Sequence, residues 1–142
     1  FDTQLGLVIT YTAFNLPLTT WLMRGFFAEV PKELEEAAYL DGCSQLGAFT
    51  RIILPISRPG ISAAATLSFL FSWSEFLFGV MLTVDKATTL PVGAALIQRT
   101  VTAIPWGEIF AVATIMTIPA IAFSIFMYKQ FVRGLTMGAV KG

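Results

Sequence analysis

The chain has 142 residues, of which 56% are hydrophobic and only 13% are charged, and its formal net charge is zero. A soluble domain usually has about 25% charged residues, so this composition, with a mean hydropathy of +0.75, indicates a membrane-embedded protein. The neutral balance gives no electrostatic argument for nucleic-acid binding. With a single cysteine, Cys43, and no histidine, the chain cannot form an internal disulfide and offers no Cys/His zinc site.

Three apolar segments predict membrane-spanning helices, at about residues 5–27, 60–84 and 108–131. At about 1.5 Å of rise per residue, each is long enough to cross the roughly 30 Å of hydrocarbon in a bilayer. Pro17 and Pro119 interrupt the first and third segments. Each proline removes one helical hydrogen bond and should bend its helix. The sequence therefore predicts an all-α fold, a polytopic membrane helix bundle.

Within the first two spans, four residues are candidates for lining a translocation pathway or for bracing the bundle: Asn15, Ser72, Trp73 and Glu75. Ser72 ends a run of small residues at every fourth position, which lets another helix approach closely. In one continuous helix Glu75 continues that face, where an ionisable group is shielded from lipid. We expect bracing contacts for Glu75 and packing for Trp73, because buried polar groups in membranes mostly bond to protein partners. Contact with a transported solute is the alternative.

The polar block between the first two spans predicts two short helices joined at a glycine corner. Pro31 suits the first turn of a helix over residues 32–41, which is rich in Glu, Leu and Ala. Gly42 follows, at the position where a helix commonly needs a left-handed residue. Ser44 can cap a second helix, which Pro55 should bring to an end.

Basic residues orient the spans. Most of them lie at the end of the first span and in the connection that follows it, or at the end of the third span and in the segment after it: Arg24, Lys32, Arg51, Arg58, Lys129, Arg133 and Lys141. The positive-inside rule then places the polar block and the tail, residues 132–142, in the cytoplasm. The connection between the second and third spans, residues 85–107, is placed outside. Within it Pro91 could begin a short helix at the outer mouth, with a plain surface helix as the alternative.

The polar block, residues 31–55, resembles the EAA loop of ABC importer permeases. The motif residues, at the family's spacing, are Glu36, Ala37, Ala38, Gly42, Ile52, Leu54 and Pro55. The resemblance implies that this cytoplasmic loop docks into a groove on an ATPase subunit and couples ATPase motion to transport. Helix-in-groove recognition suits these residues, because two alanines let a partner approach closely and Glu36 supplies one directional charge.

Further features resemble the sugar branch of these permeases, specifically the smaller permease of the maltose type. Residues 21–27 match its W-x-x-x-G-F-F pattern, and residues 134–142 resemble its C-terminus. Residues 73–76 resemble its W-N-E-F segment, with Ser74 in place of the usual Asn. Because family members have further spans upstream, we expect residues 1–142 to be the C-terminal part of a single permease domain.

The resemblance implies a multi-pass protein of the prokaryotic plasma (inner) membrane that translocates a sugar or oligosaccharide. The implied partners are a second permease subunit, an ATPase dimer, an extracytoplasmic solute-binding protein and membrane lipid, without nucleic acid. ATP and Mg would bind the ATPase, because no phosphate-binding G-x-x-x-x-G-K-[ST] loop occurs here. No catalytic residue, metal or cofactor is expected in this chain. In the tail, Thr136 and Lys141 could contact the ATPase, or the tail could face anionic lipid.

There are three alternative functions, two of which belong to other classes. An ion-coupled secondary carrier would also show mid-span prolines and polar groups, but it leaves the EAA spacing unexplained. A permease for another solute, such as a polyol or a glycerol phosphate, would share every feature named above. A membrane-embedded enzyme is disfavoured, because the sequence shows no paired acid and base, no metal cluster and no histidine.

Overall fold

The structure is a computed structural model that describes residues 2–99 and 105–138, with side chains described for residues 2–97 and 105–128. All regular structure in these ranges is helical, which confirms the all-α prediction. The helices in chain order are α1 (Gln4–Ala28), α2 (Lys32–Leu40), α3 (Gln45–Ala48), a π-helical turn (Phe49–Ile53), α4 (Leu54–Ile56), α5 (Arg58–Trp73), α6 (Leu77–Leu82), α7 (Leu90–Arg99) and α8 (Trp106–Gly138).

The chain folds as two compact units. The first comprises Phe1–Leu16 and Ser68–Ser124, and the second comprises Pro17–Leu67 and Ile125–Gly142. The long helices α1, α5 and α8 each contribute to both units. The predicted glycine-cornered loop lies within the second unit. The polar residues predicted to face a pathway or to brace the bundle lie within the first.

Two of the described helices are long and apolar enough to cross a membrane, Gln4–Ala28 and the Trp106–Tyr128 part of α8. They correspond to the first and third predicted spans. A third candidate arises if Gln45–Ile56 and Arg58–Trp73, which meet at a bend of 72°, are taken as one broken span. Helix α8 continues through Pro119 to Gly138, so it is longer than predicted and includes the first part of the expected tail.

The prediction of one continuous helix over residues 60–84 is wrong. Helix α5 ends at Trp73, and α6 begins only at Leu77. The side chain of Glu75, between them, accepts hydrogen bonds from the backbone N–H groups of Phe78 and Gly79. An acidic side chain that satisfies the first N–H groups of a new helix competes with continuation of the old one. Glu75 therefore does not share a helix with the small-residue face of α5.

The start of the small-residue run on α5 shows the close helix approach that was predicted. In the second unit Gly60 and Ala64 are both buried on α5. A Cβ atom on Gly60 would lie 2.3 Å from Cγ of Phe26, far inside van der Waals contact. Glycine at this position therefore allows α5 to pack directly on the aromatic ring of α1, which is the close approach expected of small residues in membrane helices.

Helix α7 confirms the prediction of a helix in the connection between the second and third spans. It starts at Leu90, so Pro91 lies in its first turn, where the missing N–H has no helical partner to lose. Val92 is buried beside α6, since a Cβ atom on Gly79 would lie 3.0 Å from Cγ2 of Val92. Helices α6 and α7 thus pack against each other within the first unit.

Candidate functional site

The glycine corner has the predicted backbone conformation. Gly42 has a φ angle of +81°, in the left-handed region. Its N–H donates to the carbonyl of Tyr39 at 3.0 Å, and the N–H of Cys43 donates to the carbonyl of Ala38 at 2.9 Å. These two bonds form a Schellman motif, which satisfies the last carbonyl groups of α2. Pro31 lies immediately before α2, at its N-cap, rather than in the first helical turn as predicted.

The helix after the corner starts where the sequence indicated. Ser44 has extended backbone angles, and its hydroxyl accepts a hydrogen bond from the N–H of Gly47 at 3.2 Å. This is the geometry of an N-cap and confirms that prediction. Two short helices therefore meet at a corner whose angle is set by local backbone hydrogen bonds.

Pro55 does not end the second helix, contrary to the prediction. The chain passes through a π-helical turn, in which the N–H of Leu54 donates to the carbonyl of Phe49, and stays helical to Ile56. A proline ring normally conflicts with the carbonyl four residues earlier. We attribute its tolerance here to the wider turn that precedes it. The helix ends at Ser57, where the chain bends into α5.

The two alanines of the EAA motif have different environments. Ala38 is only 2% exposed. A further alanine outside the motif, Ala48 on the second helix, is fully buried. Helix α2 packs against α3 and the π-helical turn, so the small Ala38 side chain serves packing inside the loop. The prediction that both alanines face a partner is therefore wrong for Ala38. Glu36 and Ala37, in contrast, are exposed.

The corner is flanked by exposed leucines. Leu40 is 90% exposed and Leu46 is 72% exposed. We call Glu36, Ala37, Leu40 and Leu46 the corner surface. It combines one carboxylate with apolar side chains, a composition typical of a helix that enters a hydrophobic groove. Among the other motif residues, Gly42 is exposed, Leu54 is at the margin of exposure, and Ile52 and Pro55 are half-buried.

Two further contacts order this loop. The ring of Phe49 packs edge-on against Phe27 of α1, with centroids 5.9 Å apart. The hydroxyl of Tyr39 donates to Oε1 of Glu35 at 2.5 Å, and this hydrogen bond raises the pKa of Tyr39. Sequence reasoning missed both contacts, although aromatic residues at 27 and 49 and the Glu35/Tyr39 spacing of one helical turn were visible signals.

In the first unit, two of the predicted polar residues come together. The side-chain amide of Asn15 donates to the Ser72 hydroxyl at 2.9 Å and to the Tyr11 carbonyl at 2.8 Å. Asn15 is 8% exposed, and its Oδ1 atom has no hydrogen-bond partner among the described residues. The amide therefore ties α1 to α5 across the interior of this unit.

Trp73 bonds to the backbone of α8. Its indole N–H donates to the carbonyl of Met116 at 2.9 Å. Its ring stacks on Phe69, at a centroid distance of 5.6 Å, and Phe69 stacks on Phe123 at 4.2 Å. An indole that is stacked and hydrogen-bonded in this way fastens α5 to α8. The geometry matches the packing contact expected for Trp73.

Glu75 uses both carboxylate oxygens on the backbone of α6. Oε1 accepts from the N–H of Phe78 at 2.8 Å, and Oε2 accepts from the N–H of Gly79 at 3.0 Å. Beside Gly79 lie the hydroxyls of Tyr11 and Thr89, which are both buried. Glu75 thus holds the break between α5 and α6 through these two backbone hydrogen bonds.

The comparison with known proteins decides the family. Residues 1–137 match the family described as "Binding-protein-dependent transport system inner membrane component". The chain belongs to this family. Its members are transport components of the inner membrane, which agrees with the two described helices of membrane-spanning length.

The alignments with curated relatives cover nearly the whole chain. It is 42% identical over 142 residues (99% of the chain, 51% of the relative) to the trehalose/maltose transport system permease protein MalG of Thermococcus litoralis. It is 43% identical over 140 residues (99% and 50%) to the probable ABC transporter permease protein y4oR of Sinorhizobium fredii. It is 42% identical over 149 residues (100% and 53%) to the trehalose transport system permease protein SugB of Mycobacterium tuberculosis. The chain spans about half the length of these curated relatives.

Of the two residues predicted to contact an ATPase from the tail, one lies on a described helix. Thr136 lies on α8, and Lys141 lies outside the described residues. In the ranges that the structure describes, no group of three or more His, Cys, Asp or Glu side chains could hold a metal ion. Sequence reasoning also missed Asp2, whose carboxylate bonds to backbone groups more than eighty residues away. A lone aspartate before a helix gives no signal of so distant a partner.

Proposed function

We propose that this permease domain is part of the translocation subunit of an ATP-driven importer for a sugar or oligosaccharide. Membership of a binding-protein-dependent transport family supports the importer. The sugar is supported by the names of two relatives, which are transport proteins for trehalose/maltose and for trehalose. The domain itself carries out no bond chemistry, and ATP with Mg binds a separate ATPase subunit.

The corner surface carries this proposal, as the place where the ATPase acts on the permease. A short helix ends at a left-handed glycine, a capped helix follows, and the exposed side chains flanking this corner include Glu36 and Leu40. Because backbone hydrogen bonds fix the corner, a force applied to α2 displaces the following helix with little change in the angle between the two helices. ATP can then favour one of two conformations through contacts that differ between them.

The proposed assembly includes a second permease subunit, an ATPase dimer, an extracytoplasmic solute-binding protein and the surrounding lipid. The corner surface and the C-terminal tail are assigned to the cytoplasmic side, and α7 to the outer side. On the tail, Thr136 and Lys141 are candidates for ATPase contact, with anionic lipid as the alternative. Asn15, Ser72, Trp73 and Glu75 are assigned to bracing, because each described side chain bonds or packs within the protein.

The deciding experiment is ATPase stimulation of the reconstituted importer. Solute-binding proteins loaded with trehalose, maltose and other sugars, with a polyol and with glycerol phosphate would be added in turn. We expect stimulation by one of the sugar-loaded proteins and none by the same protein without sugar. Stimulation by the polyol or glycerol phosphate alone would replace the sugar assignment. Uptake that proceeds without ATP would replace the importer with an ion-coupled carrier.

A further inference from the structure

The carboxylate of Asp2 lies in a cradle of backbone N–H groups. Oδ1 accepts from Val84 at 3.0 Å, from Lys86 at 3.1 Å and from Ala87 at 3.2 Å. Oδ2 accepts from Asp85 at 3.2 Å and from Lys86 at 3.1 Å. Consecutive N–H groups that converge on one point form an anion-binding nest. Here the anion is a side chain of the same protein, and its residue lies just before the start of α1.

The backbone of Asp2 also bonds to this part of the chain, at a residue just before the four N–H groups. Its N–H donates to the carbonyl of Leu82 at 2.8 Å. Its φ angle is +56°, a left-handed conformation that non-glycine residues seldom adopt. Such a conformation persists when the surrounding contacts determine it. The hydrogen bond from Val84, with those from the next three residues, lowers the pKa of Asp2 to about 2, because these N–H groups stabilise the ionised carboxylate.

The segment that Asp2 holds is the link between α6 and α7. Thr83 and Ala87 in this link are buried, and the Thr83 hydroxyl donates to the Gly79 carbonyl at 2.7 Å. Beyond the link, Val92 of α7 is 3% exposed. Restraint of the link therefore restrains the position of α7 on α6.

We propose that Asp2 is a positioning residue, whose carboxylate holds the α6–α7 link against the start of α1 and so sets the position of α7. The effect on transport rests on the proposed function, in which α7 lies on the side that receives the solute-binding protein. A fixed α7 presents that protein with one surface. Loss of the carboxylate leaves four backbone N–H groups without their acceptor and releases the link.

The first test measures the release of α7 directly. A cysteine replaces Val92 in the assembled, detergent-purified transporter, and its reaction with a maleimide is followed by peptide mass spectrometry. Asp2→Ala should raise the labelling rate at least about tenfold, since hydrogen bonds to a charged group are strong, and Asp2→Asn should raise it by a smaller factor, because asparagine keeps one acceptor oxygen. Asp85→Asn is the matched control, because Asp85 contributes only its backbone N–H. It should leave the rate unchanged. If Asp2→Ala does not assemble, Asp2→Asn alone decides.

The second test separates positioning from general stability. Stimulation of ATPase activity is titrated with solute-loaded binding protein. Asp2→Asn should raise the half-saturating concentration several-fold and leave the maximal rate within about twofold of the unmodified transporter. Unchanged labelling of the Val92 position would overturn the proposal whatever the transport result. Faster labelling with an unchanged half-saturating concentration would overturn the positioning role.

Failure of the proposed function has a different signature. An unmodified transporter that no sugar-loaded binding protein stimulates would count against sugar import. The labelling rate at position 92 would still decide whether Asp2 holds the link.

Discussion

The side-chain amide of Asn15 lies 2.9 Å from the hydroxyl of Ser72, and this bond joins α1 to α5 inside the first unit. Fifty-seven positions separate the two residues in the chain. Both are small polar groups within strongly apolar segments, so each would be costly to bury without the other. The pair therefore predicts a measurable coupling in stability.

Asn15→Ala and Ser72→Ala should each lower the unfolding temperature of the purified permease, and the double variant should lose less than the sum. The expected coupling is about 0.5–1.5 kcal/mol, the range found for hydrogen bonds between membrane helices. Thr12→Ala is a suitable control, because the Thr12 hydroxyl bonds only to the Val8 carbonyl of its own helix. Additive losses would show that the bond contributes nothing to stability.

Gly42→Val should impair coupling to the ATPase by distorting the corner. A Cβ atom at this position meets no other atom within 4 Å, so the cost comes from the φ angle of +81° alone. A left-handed conformation costs a residue with a Cβ atom about 1–2 kcal/mol. Gly42→Asn should be milder, since asparagine tolerates this region. Co-purification with the ATPase subunit and sugar uptake are measured, and normal values in Gly42→Val would contradict the role of the corner.

Glu36→Lys should reduce ATPase association, because it reverses the charge of the corner surface. Glu33→Lys gives a matched control, since Glu33 is also exposed on α2 but lies outside the corner surface. Both variants should insert and fold normally, because neither glutamate is buried. Equal loss of association in the two variants would point to general electrostatics rather than to a docking contact.

Cysteines at Glu33 and Thr88 should be labelled from opposite sides of the membrane. Both residues are exposed, which makes them suitable reporters, and Cys43 is replaced by serine to remove the native thiol. An impermeant maleimide applied to intact cells should reach position 88 only, and position 33 should react after the membrane is opened. Labelling of both positions from one side would overturn the proposed orientation.

Glu75→Gln should leave the apparent affinity for sugar nearly unchanged. The carboxylate is engaged by the N–H groups of Phe78 and Gly79, and glutamine keeps one acceptor oxygen for them. Glu75→Ala should lower thermal stability by about 1–3 kcal/mol, because it leaves both N–H groups without their partner. Ser74→Ala is the control, since the Ser74 hydroxyl bonds only within α5 and its immediate end. A large loss of sugar affinity in a stable Glu75→Gln importer would identify Glu75 as a solute contact.

The amino-acid sequence was sufficient for features that depend on a few neighbouring residues. Gly42 and Ser44 could be assigned from the sequence because a C-terminal glycine and an N-cap act on backbone groups within five positions. The first and third spans could be assigned from length and hydropathy, since the bilayer sets the number of apolar residues required. The motif spacing and the family match agree on the same class of transport protein.

Tertiary structure decided the features that depend on distant or competing contacts. Helical periodicity placed Glu75 inside one long helix, whereas its carboxylate satisfies the N–H groups of a second helix. Motif logic placed Ala38 on a docking face, whereas packing of two helices buries it. The carboxylate of Asp2 and the N–H of Ala87 are 85 positions apart in the chain. No local propensity encodes such a pair, because its hydrogen bonds form only when the packed helices bring the two segments together.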